Sequence, residues 1–251
     1  MDKYTLKTAY QKSFLGIVWR MEADTSEHLL AVETRDKDTG SPAFSVFNYR
    51  TGGTLIHEKT YGDRHWTLAG IARRKLIIRA YGTNSPDGAG VACMDADRGT
   101  INWEQFNYTL LRVDRQQVAV RHRNFAGGYE QYLDIDTGNL TPFNTSADKP
   151  TGPEIVIPRQ YPGNAPGVLD GFMIHGDIFH CPIGSKETWA FHEKSGSGYC
   201  VRLVITNGLT VLADRIILSG LTGITPELFF VIGNHLFFIG NNKREIVSYL
   251  V

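Results

Sequence analysis

Five short stretches of this chain share one shape, and their recurrence limits the fold more than any single motif does. They are HLLAVET at 28–34, KLIIRAY at 75–81, QVAVRHR at 117–123, DIFHCPI at 177–183 and HLFFIGN at 235–241. Each opens on a polar residue and runs on into a few mostly apolar ones. Such runs are too short for isolated helices and are bounded by turn residues, so they predict strands. After each comes a polar or glycine-bearing loop (RDKDTGSP, GTNSPDGAG, NFAGG, GSK, NNKR) and a second apolar run: AFSVFNY, GVACMDA, YEQYLDI, TWAFHEK, EIVSYLV. The pairing is a hairpin that occurs five times. One further apolar segment precedes each hairpin: GIVWRMEA, WTLAGIA, TLLRV, GVLDGFMI and ELFFVI.

In the first four copies a turn and a further strand follow, as in NYRTGGTLIHE, DADRGTINWE, DIDTGNLTPF and HEKSGSGYCVRL. Gly52, Gly99, Gly138 and Gly196 fall at one position of the repeat, where a positive φ would explain glycine. An Asn or Asp a few residues earlier can hydrogen-bond the turn backbone. The unit is a four-stranded antiparallel meander of about 40 to 60 residues, the period of a propeller blade. Many of its strands are apolar on both faces, as expected for a sheet covered on each side. The fifth copy ends at SYLV, one strand short. YTLKTAY at 4–10 is expected to supply that strand and so to close a five-bladed ring.

The stretch CMDADRGTINWE, residues 93–104, resembles the blade motif of the pyrroloquinoline quinone (PQQ)-type β-propeller repeat, an Asp-containing turn ending in Thr-Gly with a Trp four residues later. Asp95, Gly99 and Trp103 match it, with Arg98 in place of the Thr. DIDTGNL matches through Asp134, Thr137 and Gly138, but Pro142 replaces the Trp. NYRTGG and HEKSGS are weaker copies. The five repeats predict an all-β, five-bladed propeller over residues 1–251 as a single domain, with a larger or partial propeller carrying an extra sheet as the runner-up; the resemblance supports the fold, and recurrence makes Asp95, Gly99, Trp103, Asp134 and Gly138 structural turn residues. Members of this repeat family include quinone-dependent dehydrogenases and cofactor-free scaffolds, so fold does not carry function. This chain shows no dehydrogenase site motif, and no cofactor is expected.

Composition sets the class of partner. Lys and Arg total 26, as do Asp and Glu, so no net field draws the chain to nucleic acid or an anionic membrane. The N-terminal residues lack the apolar stretch of a secretory signal and no segment reaches about 18 apolar residues, which leads to the expectation of a cytoplasmic protein. Cys93, Cys181 and Cys200 show no CxxC spacing and are expected as buried thiols.

Candidate chemistry is sparse. HGDIFHC places His175, Asp177, His180 and Cys181 close together, but His180 falls in the column of Ala31, Ile78, Val120 and Phe238. A core histidine with a satisfied ring is therefore expected rather than a metal ligand. DRHWT precedes the second repeat, and its Arg64, His65 and Trp66 could stack on or hydrogen-bond a ligand, against the plainer reading that Trp66 packs. The proline-rich segment 144–167 offers Arg159 and Tyr161 as a surface excursion. Asp63, Glu154, Asp170 and Glu227 lie near repeat entrances, where a glycosidase would need two carboxylates about 5 to 9 Å apart. No pair stands out, and there is no GxSxG or nucleotide-binding glycine loop. The reading is a non-catalytic module for a protein or small-ligand partner, with a carboxylate-dependent glycan hydrolase or lyase as the alternative. Asn207-Gly208 is expected as a type I′ hairpin turn.

Overall fold

A computed structural model describes residues 6–81, 90–124, 129–144, 152–226, 228–240 and 242–251. These residues are all-β: they form antiparallel sheets with no α-helix, apart from a single 3₁₀ turn at Gly167–Leu169. The chain divides into two compact units, one of residues 14–153 and one of Met1–Ser13 with Glu154–Val251.

The first unit holds three four-stranded meanders. They are β2 (Ile17–Asp24), β3 (Leu29–Arg35), β4 (Pro42–Asn48) and β5 (Thr54–Thr60); then β6 (Trp66–Ala72), β7 (Lys75–Ala80), β8 (Val91–Asp95) and β9 (Ile101–Gln105); then β10 (Tyr108–Val113), β11 (Gln117–His122), β12 (Gln131–Asp134) and β13 (Leu140–Thr141). The middle strands are apolar on both faces because both faces are covered. β3 is buried along its whole length, and Leu76, Ile77 and Ile78 of β7 and Val118, Ala119 and Val120 of β11 are wholly inaccessible.

Four loops of this unit are built alike. Asp36, Asn48, Asp95 and Asp134 each accept, through Oδ1, the N–H groups two and three residues on, at 2.8–3.2 Å. In each the glycine four residues on donates its N–H to the Asx carbonyl at 2.8–3.0 Å, and Gly40, Gly52, Gly99 and Gly138 have φ of +66° to +73°. The side chain takes up two donors the bent backbone would otherwise leave unpaired, and only glycine enters that φ without strain. Asn48 does this as well as aspartate, and the Asp36 loop, between β3 and β4, is a further copy. At Asp95 burial opposes ionisation, but the Lys75 ammonium and the Arg98 and Asp97 N–H groups outweigh it and hold the carboxyl below its usual range.

The residue four beyond the glycine locks one sheet to the next. Trp103 donates its Nε1–H to the Ile135 carbonyl at 2.9 Å, and its ring lies where a Cβ on Gly138 would stand, 2.5 Å away. Ile56 sits likewise against Gly99, at 3.3 Å from such a Cβ.

The second unit holds two five-stranded sheets. One is β15 (Arg159–Gln160), β16 (Ile174–Ile183), β17 (Lys186–Ser195), β18 (Gly198–Asn207) and β19 (Thr210–Leu221). Its hairpins are two-residue turns at Gly184, Gly196 and Gly208, with φ of +56° to +61°. Three expectations are corrected here. Gly196 does not share the Asx loop. The turn at 207–210 has Gly208 and Leu209 as its central residues, with positive φ only at Gly208, the pattern of type II′ rather than I′. GVLDGFMI is not a strand up to Met173: it makes the 3₁₀ turn, and the first strand of this sheet is Arg159–Gln160 from the proline-rich segment.

The other sheet runs in the order β1 (Lys7–Ser13), β22 (Glu245–Leu250), β21 (His235–Ile239), β20 (Phe230–Ile232) and β14 (Ile155–Val156). The N-terminal strand therefore does complete the last sheet, from Lys7↔Leu250 to Ser13↔Glu245, with Leu6 and Tyr10 buried. The proline-rich segment contributes a strand here as well, so residues 155–160 are not a free excursion.

Trp103→Ala should destabilise the protein by about 3–5 kcal/mol through lost burial and an Ile135 carbonyl left with only the weak Cys93 thiol donor, measured by urea unfolding. Gly138→Val should cost at least about 1 kcal/mol through φ and collision with the indole. An unchanged midpoint in either would refute the docking. Deletion of residues 1–13 should bare the β22 edge and lower the melting temperature, with proteolysis beginning within 154–251.

Candidate functional site

The site grows from two residues that interrupt an apolar strand. β3 reads LLAVETR, and strand alternation puts Glu33 and Arg35 on one face. Glu33 is wholly buried and Arg35 nearly so. Arg35 donates Nε–H to Glu33 Oε1 at 2.6 Å, and its Nη2 is ion-paired to the same oxygen at 2.5 Å. Its Nη1 reaches the carbonyls of Gly40 and Arg64 at 2.9 and 2.7 Å, and Nη2 that of Trp66 at 2.6 Å. Glu33 Oε2 accepts the Thr67 hydroxyl and the Leu68 N–H, both at 2.7 Å. Four of the five guanidinium N–H groups and both carboxylate oxygens are hydrogen-bonded, the condition under which a buried ion pair is tolerated. The pair ties the β3–β4 loop and the entrance of β6 to one point.

Above it opens a cavity of about 450 Å³, lined by Ile17, Trp19, Arg35, Asp36, Lys37, Gly40, Arg64, His65 and Tyr81. Trp19 and Tyr81 flank the guanidinium with ring centroids 5.9 and 5.8 Å from its central carbon, within cation–π range. Tyr81 is pinned, its hydroxyl donating to the Arg64 carbonyl at 3.1 Å and its N–H to the His65 carbonyl at 2.7 Å. Trp19 sits at a β-bulge, where the β2–β3 register slips between Val18 and Arg20. A bulge frees a residue from the pleat and re-aims its side chain.

Of the residues singled out in the sequence, Arg64 and His65 line this cavity. Trp66 does not: it packs between Gly62 and Gly90, edge-on to Tyr61 and Phe106, and only its carbonyl serves the site. Arg159 and Tyr161 belong to the other unit. Arg159 is exposed on β15, while Tyr161 packs edge-on to Trp189 and His180. Trp19, Arg35 and Tyr81 were not singled out. The signal available was the Glu-x-Arg pair inside an apolar run.

His180 is not interior. It is partly exposed, stacked on Trp189 at 4.2 Å between centroids and joined through Nε2 to Glu187, so its ring is satisfied outside the core. Among the described residues no cluster of three His, Cys, Asp or Glu could hold a metal, HGDIFHC included. His192, wholly buried, accepts the Thr225 N–H through Nε2, and burial lowers its pKa. Burial also raises the thiol pKa of Cys93, to about 12. Asp63, Glu154 and Asp170 line none of the cavities described here, and Glu227 lies outside the described residues. A second cavity of about 540 Å³ borders β2, β6 and β10, where Arg20–Glu22 and Arg112–Asp114 pair off its charges. A third, of about 490 Å³, lies beside Tyr161 and Asp177 in the other unit.

Residues 23–103, which carry most of the first cavity, match the model of a family described as a domain of unknown function (DUF4905). No curated protein is significantly similar in sequence. Among solved structures, the chain is similar to BamB from Moraxella catarrhalis, at 12% identity over 94% of this chain and 83% of that one, with a TM-score of 0.35. It is similar to the β-propeller domain of the Trilobed protease from Pyrococcus furiosus, at 10% identity over 92% and 78%, with a TM-score of 0.35. It is also similar to a quinohemoprotein alcohol dehydrogenase from Pseudomonas putida HK5, at 11% identity over 76% of this chain but 33% of that one, with a TM-score of 0.30. At such scores the likeness transfers no function.

Glu33→Ala should cost about 3–5 kcal/mol in urea unfolding, because it leaves a buried guanidinium without its counter-ion. A loss below about 1 kcal/mol, the scale of a surface pair, would show that the pair organises nothing.

Proposed function

We propose that this protein is a non-catalytic binding module, built as a five-bladed propeller over residues 1–251. The five sheets and the N-terminal strand that completes the last of them support the blade count. Three buried thiols fit a reducing, cytoplasmic setting. The observation that carries the binding reading is the cavity over Arg35. Two large aromatic side chains stand in solvent around it, Trp19 at 64% exposure and Tyr81 at 44%. Its charged floor is an arginine and a glutamate already engaged with protein partners, so it has neither a poised acid nor a nucleophile to offer. Concave sites that mix aromatic walls with a few charged groups are the usual form of ligand sites. The glycan hydrolase alternative needs two facing carboxylates, and the entrance acids do not meet in this cavity.

A screen of small metabolites and glycans by melting temperature is expected to yield stabilising compounds whose effect disappears in Trp19→Ala, while no compound is turned over. Hits that persist in Trp19→Ala and Tyr81→Ala, or glycan turnover abolished by changing Asp63, would overturn the reading.

A further inference from the structure

Trp19 is not explained by the fold. The first strand of each meander in the first unit carries the same bulge, between Val18 and Arg20 in β2, Leu68 and Gly70 in β6, and Leu110 and Arg112 in β10. The extra residues are Trp19, Ala69 and Leu111, so neither an aromatic ring nor bulk is needed to make the bulge. Yet the tryptophan is the most exposed aromatic that lines a described cavity, and it faces the guanidinium together with Tyr81. Large aromatic surfaces held in water around a cavity mark a place where something stacks.

The charges specify what. Four of the five Arg35 N–H groups are hydrogen-bonded within the protein and the guanidinium is ion-paired to Glu33, so it acts on a guest mainly by its positive charge and its face. At the rim, Lys37 and Arg64 are exposed and form no ion pair with any described residue, and His65 stands beside them. The acid lining the cavity, Asp36, turns one oxygen back into its own loop, and Glu33 below is spent on Arg35. The floor thus has little to offer a neutral sugar, which needs free donors and acceptors, while the rim sets Lys37 and Arg64 against the single carboxylate of Asp36.

We infer that this cavity takes a small planar aromatic molecule bearing a carboxylate or phosphate. Its ring lies against Trp19 and Tyr81 and its anion is directed to Lys37, Arg64 and His65. The inference rests on the binding reading above and narrows it to a ligand class. The volume of about 450 Å³ suits such a molecule, since ligand sites span roughly 300–1,000 Å³.

Calorimetric titration of the full chain with indole-3-carboxylate and with AMP tests the two sources of that chemistry. Indole-3-carboxamide, adenosine and cyclohexanecarboxylate serve as controls that remove either the charge or the planar ring. At least one aromatic anion should bind ten or more times more tightly than its neutral counterpart and than cyclohexanecarboxylate, and binding should weaken with salt. Trp19→Ala, and separately Lys37→Ala with Arg64→Ala, should each reduce that affinity at least tenfold at an unchanged melting temperature. Equal binding of charged and neutral rings, an unaffected Trp19→Ala, or no binding by either anion up to about 10 mM would overturn the inference. If neutral compounds bind and depend on Trp19, the ligand class falls and the binding module stands. If nothing depends on Trp19, both fall.

Discussion

The seating of one side chain on the next sheet's turn is the contact on which the first unit depends. The Trp103 indole fills the space over Gly138 and satisfies the Ile135 carbonyl, and it can do so because Gly138 has no Cβ. Asp134 holds that turn in the shape that leaves the space open. Each element requires the others: without the aspartate the turn loses the three hydrogen bonds that Asp134 Oδ1 accepts, and without the glycine the tryptophan cannot approach. Repetition of the unit, with Ile56 on Gly99, turns a local loop motif into a rule for stacking sheets.

With the sheets in place, β3 can carry a charged pair through a core. Glu33 and Arg35 are tolerated because the neighbouring meander supplies Thr67, Leu68, Trp66 and Arg64 as partners, and those groups stand there because the sheets are registered. The guanidinium so held then becomes a fixed positive floor, with Trp19 and Tyr81 as its walls. Structure and candidate function share one device. The pair that ties two sheets together also sets the charge and rigidity of the cavity above it.

Much of the architecture was legible from the chain. The five hairpins stand where the apolar runs place them, and the missing last strand is supplied from the N-terminus, because an unpaired apolar edge demands a partner. Asp95, Gly99, Trp103, Asp134 and Gly138 were legible because a turn is a local object whose φ and side-chain hydrogen bonds depend on neighbours in sequence. Legibility failed where pairing is long-range. Two-residue strands at 155–156 and 159–160 are too short to leave a pattern, and the 167–173 run is largely apolar without being a strand. Gly196 resembles the other turn glycines in sequence but closes a two-residue hairpin, since nothing local distinguishes the two uses of a positive φ.

The candidate site divides along the same line. Arg64 and His65 stood out by composition, and both line the cavity, while Trp66 beside them packs between two glycines. Trp19 and Arg35 come from two strands of one sheet and Tyr81 from the residue just after β7 of the next, and they meet only through their packing. The sequence by itself determined the repeating unit, its turns and the strand that completes its last copy, because hydrophobic period and turn chemistry act over a few residues. Tertiary structure alone decided that an arginine inside an apolar strand would be held by carbonyls of a neighbouring sheet and walled by two aromatics. That outcome depends on which distant backbone carbonyls come within 3 Å of it.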